Sequence, residues 1–293
     1  MPRIVRFLVA TAGLLLATCF GAQSYAQEQS VVRPEIDKVS MVIDGRPADV
    51  VTFIYRPETQ NTSQPVVIFS HGNRIPPTAL LEPIPAKVAS WWLQRGFAVV
   101  APVRPGYGPS GGAFREGQNV KWDGNSCTSE PTYQSATLKG SEVVAGALKW
   151  VQEQPWAKRD RVILVGYSAG WPGTLVTASR DPNGVVAAIN FSGGMGGNPQ
   201  SSPSHSCKPE LLTDIYRQYG TVTHIPTLWI YAENDLFWGA EQPKRWFDAY
   251  RSGGSDANFV QTGAAGTNGH FLIDTDIPLW SPAVAAFLDK LKL

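Results

Sequence analysis

The stretch that decides the fold is Val162-Ile163-Leu164-Val165-Gly166-Tyr167-Ser168-Ala169-Gly170. It begins as an apolar run typical of a buried strand and ends in the pattern G-x-S-x-G. A serine held on a sharp turn from strand to helix needs small neighbours, because the strained backbone leaves little room for side chains. Such a turn exposes the hydroxyl of Ser168 and directs the N–H of Ala169 to the same space. The stretch therefore predicts a nucleophile beside an oxyanion donor.

The surroundings of this pattern distinguish it from a chance match, which is easily found in a chain with 28 glycines. Residues 161–165 predict the strand before the turn, and residues 174–179 are compatible with the helix after it. Pro172 restricts where that helix begins, and proline is tolerated in a first helical turn. The context favours a functional turn.

Length and composition predict one large domain behind an export signal. The chain has 293 residues, of which 43% are hydrophobic and 17% are charged. That is enough for one core and short of two ordinary domains. Residues 1–26 carry two arginines, an apolar run from Phe7 to Phe20, and small residues at Ser24 and Ala26, where a signal peptidase would cut. We expect a signal peptide at 1–26, a single domain at 27–293, and a secreted or periplasmic protein.

Two other interpretations of the amino terminus stay open. A membrane anchor would need about 20 apolar residues to cross a bilayer, and the run falls short of that length. A lipid anchor at Cys19 is the second, although Thr18 is an unfavourable residue directly before a lipidated cysteine.

Charge and cysteine content exclude several classes of function. Cleavage after Ala26 would remove Arg3 and Arg6 and no acidic residue, so the formal net charge would fall by two from +1 to −1. A near-neutral surface argues against a nucleic-acid partner and offers little attraction to anionic membranes. The remaining cysteines, Cys127 and Cys207, most simply form one disulfide in an exported chain. No metal site, phosphate loop or dinucleotide fingerprint is predicted, and the chemistry requires no cofactor.

Strands and helices alternate along the chain. A hairpin at an edge of the sheet is predicted from residues 39–43 and 50–55 around a turn at residues 44–47. Further strands are predicted at 66–69, 97–102, 161–165, 185–191, 225–231 and 258–261, and helices at 84–94, 136–152, 174–179, 209–219, 242–251 and 277–291. This alternation predicts an α/β fold with a mostly parallel central sheet and helices on both faces.

The serine needs a base, and the base needs a carboxylate to fix its tautomer. Of the four histidines, His270 is the best candidate, because it lies in a loop between the last predicted strand and the last helix. His71 more simply shapes a loop, while His205 and His224 suit surface or capping positions.

The carboxylate predicted to orient His270 is Asp235. It comes shortly after the strand that ends at Tyr231, so it should emerge at the same edge of the sheet as Ser168. Glu233 and Asp274 are rivals. The order serine, aspartate, histidine is the one that an α/β sheet produces when all three side chains rise from successive strand ends.

Five motifs carry a family resemblance: Ser70-His71-Gly72-Asn73, Arg104-Pro105-Gly106-Tyr107-Gly108-Pro109-Ser110-Gly111-Gly112, Gly166-Tyr167-Ser168-Ala169-Gly170, Ala232-Glu233-Asn234-Asp235 and Gly269-His270. With them the chain resembles the α/β-hydrolases over roughly residues 48–291, most closely the dienelactone-hydrolase-like and small serine esterase or peptidase branches. The resemblance implies that the N–H of Asn73 is the second oxyanion donor beside that of Ala169. Two departures stand out. Dienelactone hydrolases proper use a cysteine nucleophile, and Trp171-Pro172 occupy positions where related chains carry small residues.

The lid of such a fold is expected to be small. Residues 192–223 occupy the place of a lid insertion, but they contain one predicted helix, and their glycine-, serine- and proline-rich part, 192–207, is not expected to pack as a regular element. This indicates a partly open site. A bridge between Cys127 and Cys207 would connect the polar segment 114–133 to residues 192–207 and form a rigid rim over the carboxyl edge of the sheet.

Aromatic residues supply the candidate pocket. Tyr107, Trp122 and Trp238 are candidates for its walls and rim, and Trp171 either packs in the core or walls the pocket. The ten tryptophans also invite a carbohydrate-binding interpretation, but no carboxylate pair for glycoside cleavage stands out.

The sequence thus predicts an exported serine hydrolase that cleaves esters of small or medium acyl or alkyl groups through an acyl-enzyme. An amide or peptide substrate is the second choice. A non-catalytic binding protein that kept the fold is the alternative from another class, and a complete triad argues against it.

Overall fold

Runs of β-branched and apolar residues form the strands of this chain, and the amphipathic segments between them form the helices. The computed structural model describes residues 33–57 and 63–293, and the predicted signal peptide lies outside them. The strands are β1 (Glu35–Ile43), β2 (Arg46–Tyr55), β3 (Gln64–Ser70), β4 (Ala98–Pro102), β5 (Trp122–Asp123), β6 (Ser126–Cys127), β7 (Ala157–Tyr167), β8 (Val185–Phe191), β9 (Gly197–Asn198), β10 (Ser202–Ser206), β11 (Thr227–Ala232) and β12 (Ala257–Thr262). The helices are α1 (Ala86–Leu93), α2 (Tyr133–Glu153), α3 (Gly170–Ala178), α4 (Pro209–Gly220), α5 (Gln242–Arg251), α6 (Leu272–Thr275) and α7 (Ile277–Lys290).

Eight of these strands form one sheet in the order β1-β2-β4-β3-β7-β8-β11-β12. The hairpin β1–β2 is antiparallel and lies at one edge, as predicted, and β2 also pairs antiparallel with β4. The pairings of β3 with β4 and β7, of β8 with β7 and β11, and of β11 with β12 are parallel. The prediction of a mostly parallel sheet is confirmed.

Helices cover both faces of the sheet, which is also as predicted. On one face, α2, α3, α4 and α5 bury an apolar cluster around Trp171, Trp229 and Trp246. On the other face, α1, α6 and α7 bury a second cluster around Trp92 and Trp280. The central strands are buried on both faces, because their side chains point alternately into one cluster and the other.

Parallel pairing brings the carboxyl ends of six strands to one edge. There β3 ends at Ser70, β4 at Pro102, β7 at Tyr167, β8 at Phe191, β11 at Ala232 and β12 at Thr262. The segments that follow these strands contain every residue predicted for the catalytic triad and the oxyanion site. The sheet therefore gathers residues that are up to about 200 positions apart in the sequence, and loops at this edge carry the chemistry in open α/β folds.

One prediction about the insertion was wrong. Residues 192–207 contain the antiparallel pair β9 and β10, and Ser192 to Gly196 are buried. Two side chains hold the backbone of Gly193 in place: its N–H donates to Asn190 Oδ1 at 2.8 Å, and Tyr231 Oη donates to its carbonyl at 2.7 Å. Glycine and serine tolerate close packing against neighbouring strands, so a composition typical of an irregular loop serves here for burial.

Candidate active site

The turn at Ser168 has the geometry that the motif predicts. Ser168 has φ +52°, which is the left-handed region that non-glycine residues rarely adopt. A Cβ on Gly166 would lie 2.5 Å from the Cα of Trp171, and one on Gly170 would lie 2.3 Å from the carbonyl oxygen of Ser70. Both flanking positions must therefore be glycine, because a side chain would collide with backbone.

The three predicted catalytic side chains lie together. His270 Nε2 is 2.9 Å from Ser168 Oγ, and His270 Nδ1 is 3.1 Å from Asp235 Oδ2. All three residues are buried, with Ser168 8% exposed, His270 2% and Asp235 0%. A neutral imidazole that donates from Nδ1 to the carboxylate leaves Nε2 free to accept the serine proton.

Backbone N–H groups hold the carboxylate of Asp235. Its other oxygen, Oδ1, accepts from the N–H of Phe237 at 2.7 Å and of Trp238 at 3.2 Å. The rivals have other partners: Glu233 accepts from the N–H of Ala264, and Asp274 pairs with Lys87 at the surface. Asp235 is thus the acid whose side chain reaches His270.

Aromatic rings enclose the imidazole. Phe237 stacks on His270 with ring centroids 3.9 Å apart and an angle of 27° between the planes. The Trp238 ring meets His270 edge-on at 5.3 Å, and its Nε1 donates to the carbonyl of Ser192 at 2.9 Å. Phe271 adds an edge contact and is 42% exposed. These rings restrict the orientation of the imidazole and contribute to its burial, since His270 is 2% exposed.

The predicted oxyanion donors come from two segments that touch. A Cβ on Gly72 would lie 2.9 Å from the Cβ of Ser168, so the segment that carries Asn73 runs directly past the serine. Ala169 caps the amino end of α3. Among the backbone hydrogen bonds of the described residues outside helices and strands, neither the N–H of Ala169 nor that of Asn73 is used. Neither N–H is thus bound to a backbone acceptor in that set of hydrogen bonds.

A buried ion pair between Arg104 and Glu116 holds the segment 71–73 through hydrogen bonds to Ser70 and His71. Arg104 Nε donates to Glu116 Oε2 at 2.8 Å, and Arg104 Nη1 donates to Ser70 Oγ at 3.2 Å and to the carbonyl of His71. Tyr107 Oη donates to Asn73 Oδ1 at 2.5 Å. Burial raises the pKa of Tyr107 to about 12, so the phenol stays protonated and keeps this bond. One network thus holds the backbone of His71 and the side chain of Asn73.

The imidazole of His71 belongs to this network and is held neutral. Its Nε2 accepts from the N–H of Arg104 at 3.1 Å, and its Nδ1 donates to the carbonyl of Gly72 at 2.7 Å. Burial, followed by the charge of Arg104, lowers the pKa of His71 well below its usual 6.5. His71 therefore shapes the loop, as the sequence analysis expected.

This lowered pKa predicts a loss of stability in mild acid. Below pH 6.5 the unfolded chain binds a proton at His71 that the folded chain does not bind, so the free energy of unfolding falls with pH by about 1.4 kcal/mol per pH unit until the folded pKa is reached. In urea titrations between pH 7 and pH 5, His71→Gln should remove this part of the slope. His205→Gln, at an exposed histidine, should keep it; equal slopes for wild type and His71→Gln would contradict the prediction.

Of the four residues predicted to line the pocket, three are buried and one is partly exposed. Trp171 is fully buried against Trp229, so its packing is that of a core residue. Tyr107 is also fully buried and acts through Asn73. Trp238 is 2% exposed and lies behind His270, and Trp122 lies on β5, partly exposed, without a ring contact to His270. His205 and His224 are exposed, as expected for surface histidines.

Cys127 and Cys207 lie at a distance compatible with a disulfide, with their Cα atoms 5.2 Å apart. Cys127 is on β6 and Cys207 precedes α4. A bridge would therefore join segment 114–133 to residues 192–207. Tyr133 Oη donates to the carbonyl of Cys207 at 2.5 Å, which fixes this point to α2 as well.

Within residues 33–57 and 63–293, no group of three or more histidine, cysteine, aspartate or glutamate side chains is arranged to hold a metal ion. In the same residues no single helix has the length and apolar character to cross a membrane, and one bent pair, Gly269–Thr275 with Ile277–Lys290 at 78°, passes that test jointly.

Sequence reasoning missed several residues of the site. Phe237 stacks on His270 only because the turn after β11 brings its ring back over the loop after β12, and no local pattern predicts that approach. The pair of Arg104 and Glu116 spans 12 residues of a turn-rich segment. The signal available was an arginine and a glutamate in an otherwise glycine- and proline-rich stretch.

Comparisons with known proteins identify similar structures. No family model and no curated protein matches the chain. Among solved structures, it is similar to an esterase from Pyrococcus furiosus (TM-score 0.60, 14% identity, 89% of this chain and 92% of the other). It is also similar to a putative dienelactone hydrolase from Klebsiella pneumoniae (TM-score 0.56, 16% identity, 88% of this chain and 98% of the other). A third similar structure is a puromycin-hydrolysing peptidase from Mycobacterium tuberculosis (TM-score 0.56, 19% identity, 82% of this chain), and the chain spans 37% of that protein's length.

Proposed function

We propose that this chain, which has the α/β-hydrolase fold, is an exported serine hydrolase that cleaves small carboxylic esters. The observation that carries the proposal is the continuous hydrogen-bonded series from Ser168 Oγ through His270 to Asp235, at 2.9 and 3.1 Å. The fold alone would not support an activity, because the same fold hosts unrelated functions. The site residues are what support this one.

Each residue has a role in acyl transfer. Ser168 Oγ attacks the ester carbonyl carbon while His270 Nε2 takes its proton, and Asp235 stabilises the imidazolium that forms. The N–H groups of Ala169 and Asn73 donate to the oxyanion of the tetrahedral intermediate. His270 then gives its proton to the leaving alcohol, and water, activated by the same imidazole, hydrolyses the acyl-enzyme.

Access to the site supports a small substrate. Ser168 is 8% exposed, whereas Asn73, in the segment that runs past it, and Phe271, whose ring contacts His270, are exposed. Because so little of the serine is exposed and aromatic rings pack around His270, we expect a small acyl group to reach the serine more readily than a bulky one. The similarity to a structure named as an esterase supports an ester substrate.

Export rests on the amino-terminal sequence. We place a signal peptide at residues 1–26, and a disulfide between Cys127 and Cys207 agrees with a secreted or periplasmic location, where such bonds persist. The mass of the amino terminus of protein purified from a secreting host tests this: export predicts a chain that begins at Gln27.

A fluorophosphonate probe tests the activity itself. The mature protein should be labelled at Ser168, with the adduct located by peptide mass spectrometry, and should hydrolyse a short-chain aryl ester faster than the matching anilide. Ser168→Ala should lose both label and turnover, whereas Ser192→Ala, a buried serine that follows β8, should keep the label. Folded protein with neither label nor turnover would overturn the proposal in favour of a binding protein.

A further inference from the structure

The acid and the base of the proposed triad lie on two separate loops. We call residues 233–238, which follow β11, the acid loop, and residues 263–270, which follow β12, the histidine loop. Pairing of β11 with β12 ends at Ala232 and Thr262. From there the chain runs three residues to Asp235 and eight to His270, so the sheet cannot set the distance between carboxylate and imidazole. Contacts between the two loops must do so.

The two loops approach each other at Gly269. A Cβ there would lie 2.4 Å from Asn234 Oδ1, 2.6 Å from the Cβ of Ala232 and 3.0 Å from the N atom of Asp235. The N–H of Gly269 donates to the carbonyl of Asn234 at 3.1 Å. The residue directly before the histidine is therefore pressed against the residue directly before the aspartate, and only glycine leaves room for that contact.

Asn234 reaches from the acid loop into the histidine loop. Its Oδ1 accepts from the N–H of Ala265 at 2.9 Å. Its Nδ2 donates to the carbonyl of Gly266 at 3.1 Å and, more weakly, to that of Ala265 at 3.4 Å. The amide thus uses both its acceptor and its donors on the backbone of the opposite loop.

Asn268 makes the reverse connection. Its Oδ1 accepts from the N–H of Leu236 in the acid loop at 3.0 Å and from the N–H of His270 in its own loop at 3.1 Å. One oxygen therefore joins the residue after Asp235 to His270 itself. A carboxamide suits this place because its oxygen has two lone pairs in one plane.

We propose that Asn234 and Asn268, together called the asparagine clamp, are positioning residues that set the distance between Asp235 and His270. The inference rests on the proposed function for its catalytic meaning. The histidine loop consists mainly of glycine, alanine and small polar residues, which supply few side-chain contacts of their own. The reciprocal amide bonds replace the packing that such a loop lacks, and both partly buried amides bond to the backbone of the opposite loop.

The clamp predicts a defect in kcat and not in KM, because neither asparagine is proposed to touch substrate. Asn268→Leu is similar in size but has no acceptor, and it should lower kcat for the aryl ester about 100-fold, the scale of loss expected for a misplacement of about 1 Å. Asn268→Asp retains the oxygen that accepts from Leu236 and His270 and should recover most of kcat. Asn183→Leu, the same substitution at the opposite edge of the sheet, should stay near wild type.

A spectroscopic signal gives a readout that does not depend on turnover. The proton between His270 Nδ1 and Asp235 Oδ2 should give a far-downfield proton NMR resonance in wild type, Asn268→Asp and Asn183→Leu, and this resonance should shift or vanish in Asn268→Leu. Asn234→Asp, a milder change that keeps the acceptor for Ala265 and loses the donors, should lower kcat about 10-fold, the equivalent of about one hydrogen bond. It serves as the test if Asn268→Leu fails to fold.

The outcomes separate the clamp from the proposed function. Folded Asn268→Leu with kcat within about 3-fold of wild type, or with an unchanged resonance, overturns the clamp; if that variant does not fold, an unchanged kcat and resonance in Asn234→Asp overturn it. If wild type shows neither turnover nor a probe adduct, the proposed function fails, and the resonance alone then decides whether the asparagines hold His270 against Asp235.

Discussion

Replacing Ser168 by alanine should lower kcat for a short-chain aryl ester by about 10⁴- to 10⁶-fold, and replacing His270 by alanine should do nearly the same. The double variant should be no slower than either single one. The reason is that the serine is activated only through the imidazole 2.9 Å from it, so removal of either group removes the same step. Steady-state kinetics on the four proteins, with folding checked by circular dichroism, provide the measurement.

Two further variants sharpen this prediction. Asp235→Asn should cost on the order of 10⁴-fold, since an amide that donates to His270 Nδ1 favours the wrong tautomer. His224→Ala, at an exposed histidine, should leave turnover unchanged. Losses that multiply in the double variant Ser168→Ala/His270→Ala would show that the two residues act independently, and the triad mechanism would then be wrong.

Replacing Arg104 by methionine should destabilise the chain by about 3–5 kcal/mol, because it leaves the Glu116 carboxylate buried without its partner. Arg104 is 1% exposed and Glu116 is 6% exposed, so solvent cannot replace the lost interaction. Burial already raises the pKa of Glu116, and Arg104 opposes that rise. Chemical unfolding at neutral pH measures the effect, and the loss should shrink in acid, where protonation of Glu116 removes the unpaired charge.

The double variant Arg104→Met/Glu116→Leu provides the control. It removes both charges, so it should recover much of the lost stability. Its turnover should nonetheless stay below that of wild type, since Arg104 also holds Ser70 and the carbonyl of His71 under the segment with Asn73. A double variant as unstable as Arg104→Met would indicate that lost packing, and not the unpaired charge, causes the effect.

The turn at Ser168 was predictable because its motif and the apolar run before it lie within a few residues of one another. The steric reason for Gly166 is also local, since a Cβ there would meet Trp171, whereas Gly170 must be small because Ser70 and His71 at the end of β3 pass next to it. The order of strands and helices was likewise predictable from local patterns. By contrast, β7 begins at Ala157, four residues before the predicted Arg161, because residues 158–161 are charged and exposed and do not resemble a buried strand.

The burial of residues 192–196 illustrates what local composition cannot predict. A run of glycine and serine is typical of an irregular loop. In this chain, however, the N–H of Gly194 donates to the carbonyl of Ser168 at 3.2 Å, and the N–H of Ser192 donates to the carbonyl of Ile230 at 2.9 Å. Small residues are needed because a Cβ at Gly193 would lie 2.5 Å from the Cβ of Trp171, and one at Gly194 would lie 2.8 Å from the ring of Trp246. Whether a glycine-rich run is free or packed depends on its neighbours in space.

The sequence by itself determined the alternation of strands and helices, the sharp turn at Ser168, and the three residues whose order predicts a triad, because periodicity and steric size act over a few positions. Only the tertiary structure decided what holds those residues in place: the ring of Phe237 on His270, the ion pair beneath His71, and the two asparagines between the loops. These contacts join residues that follow different strands. Contacts between loops that are distant in the sequence produce no local pattern of residues, so the sequence does not predict them.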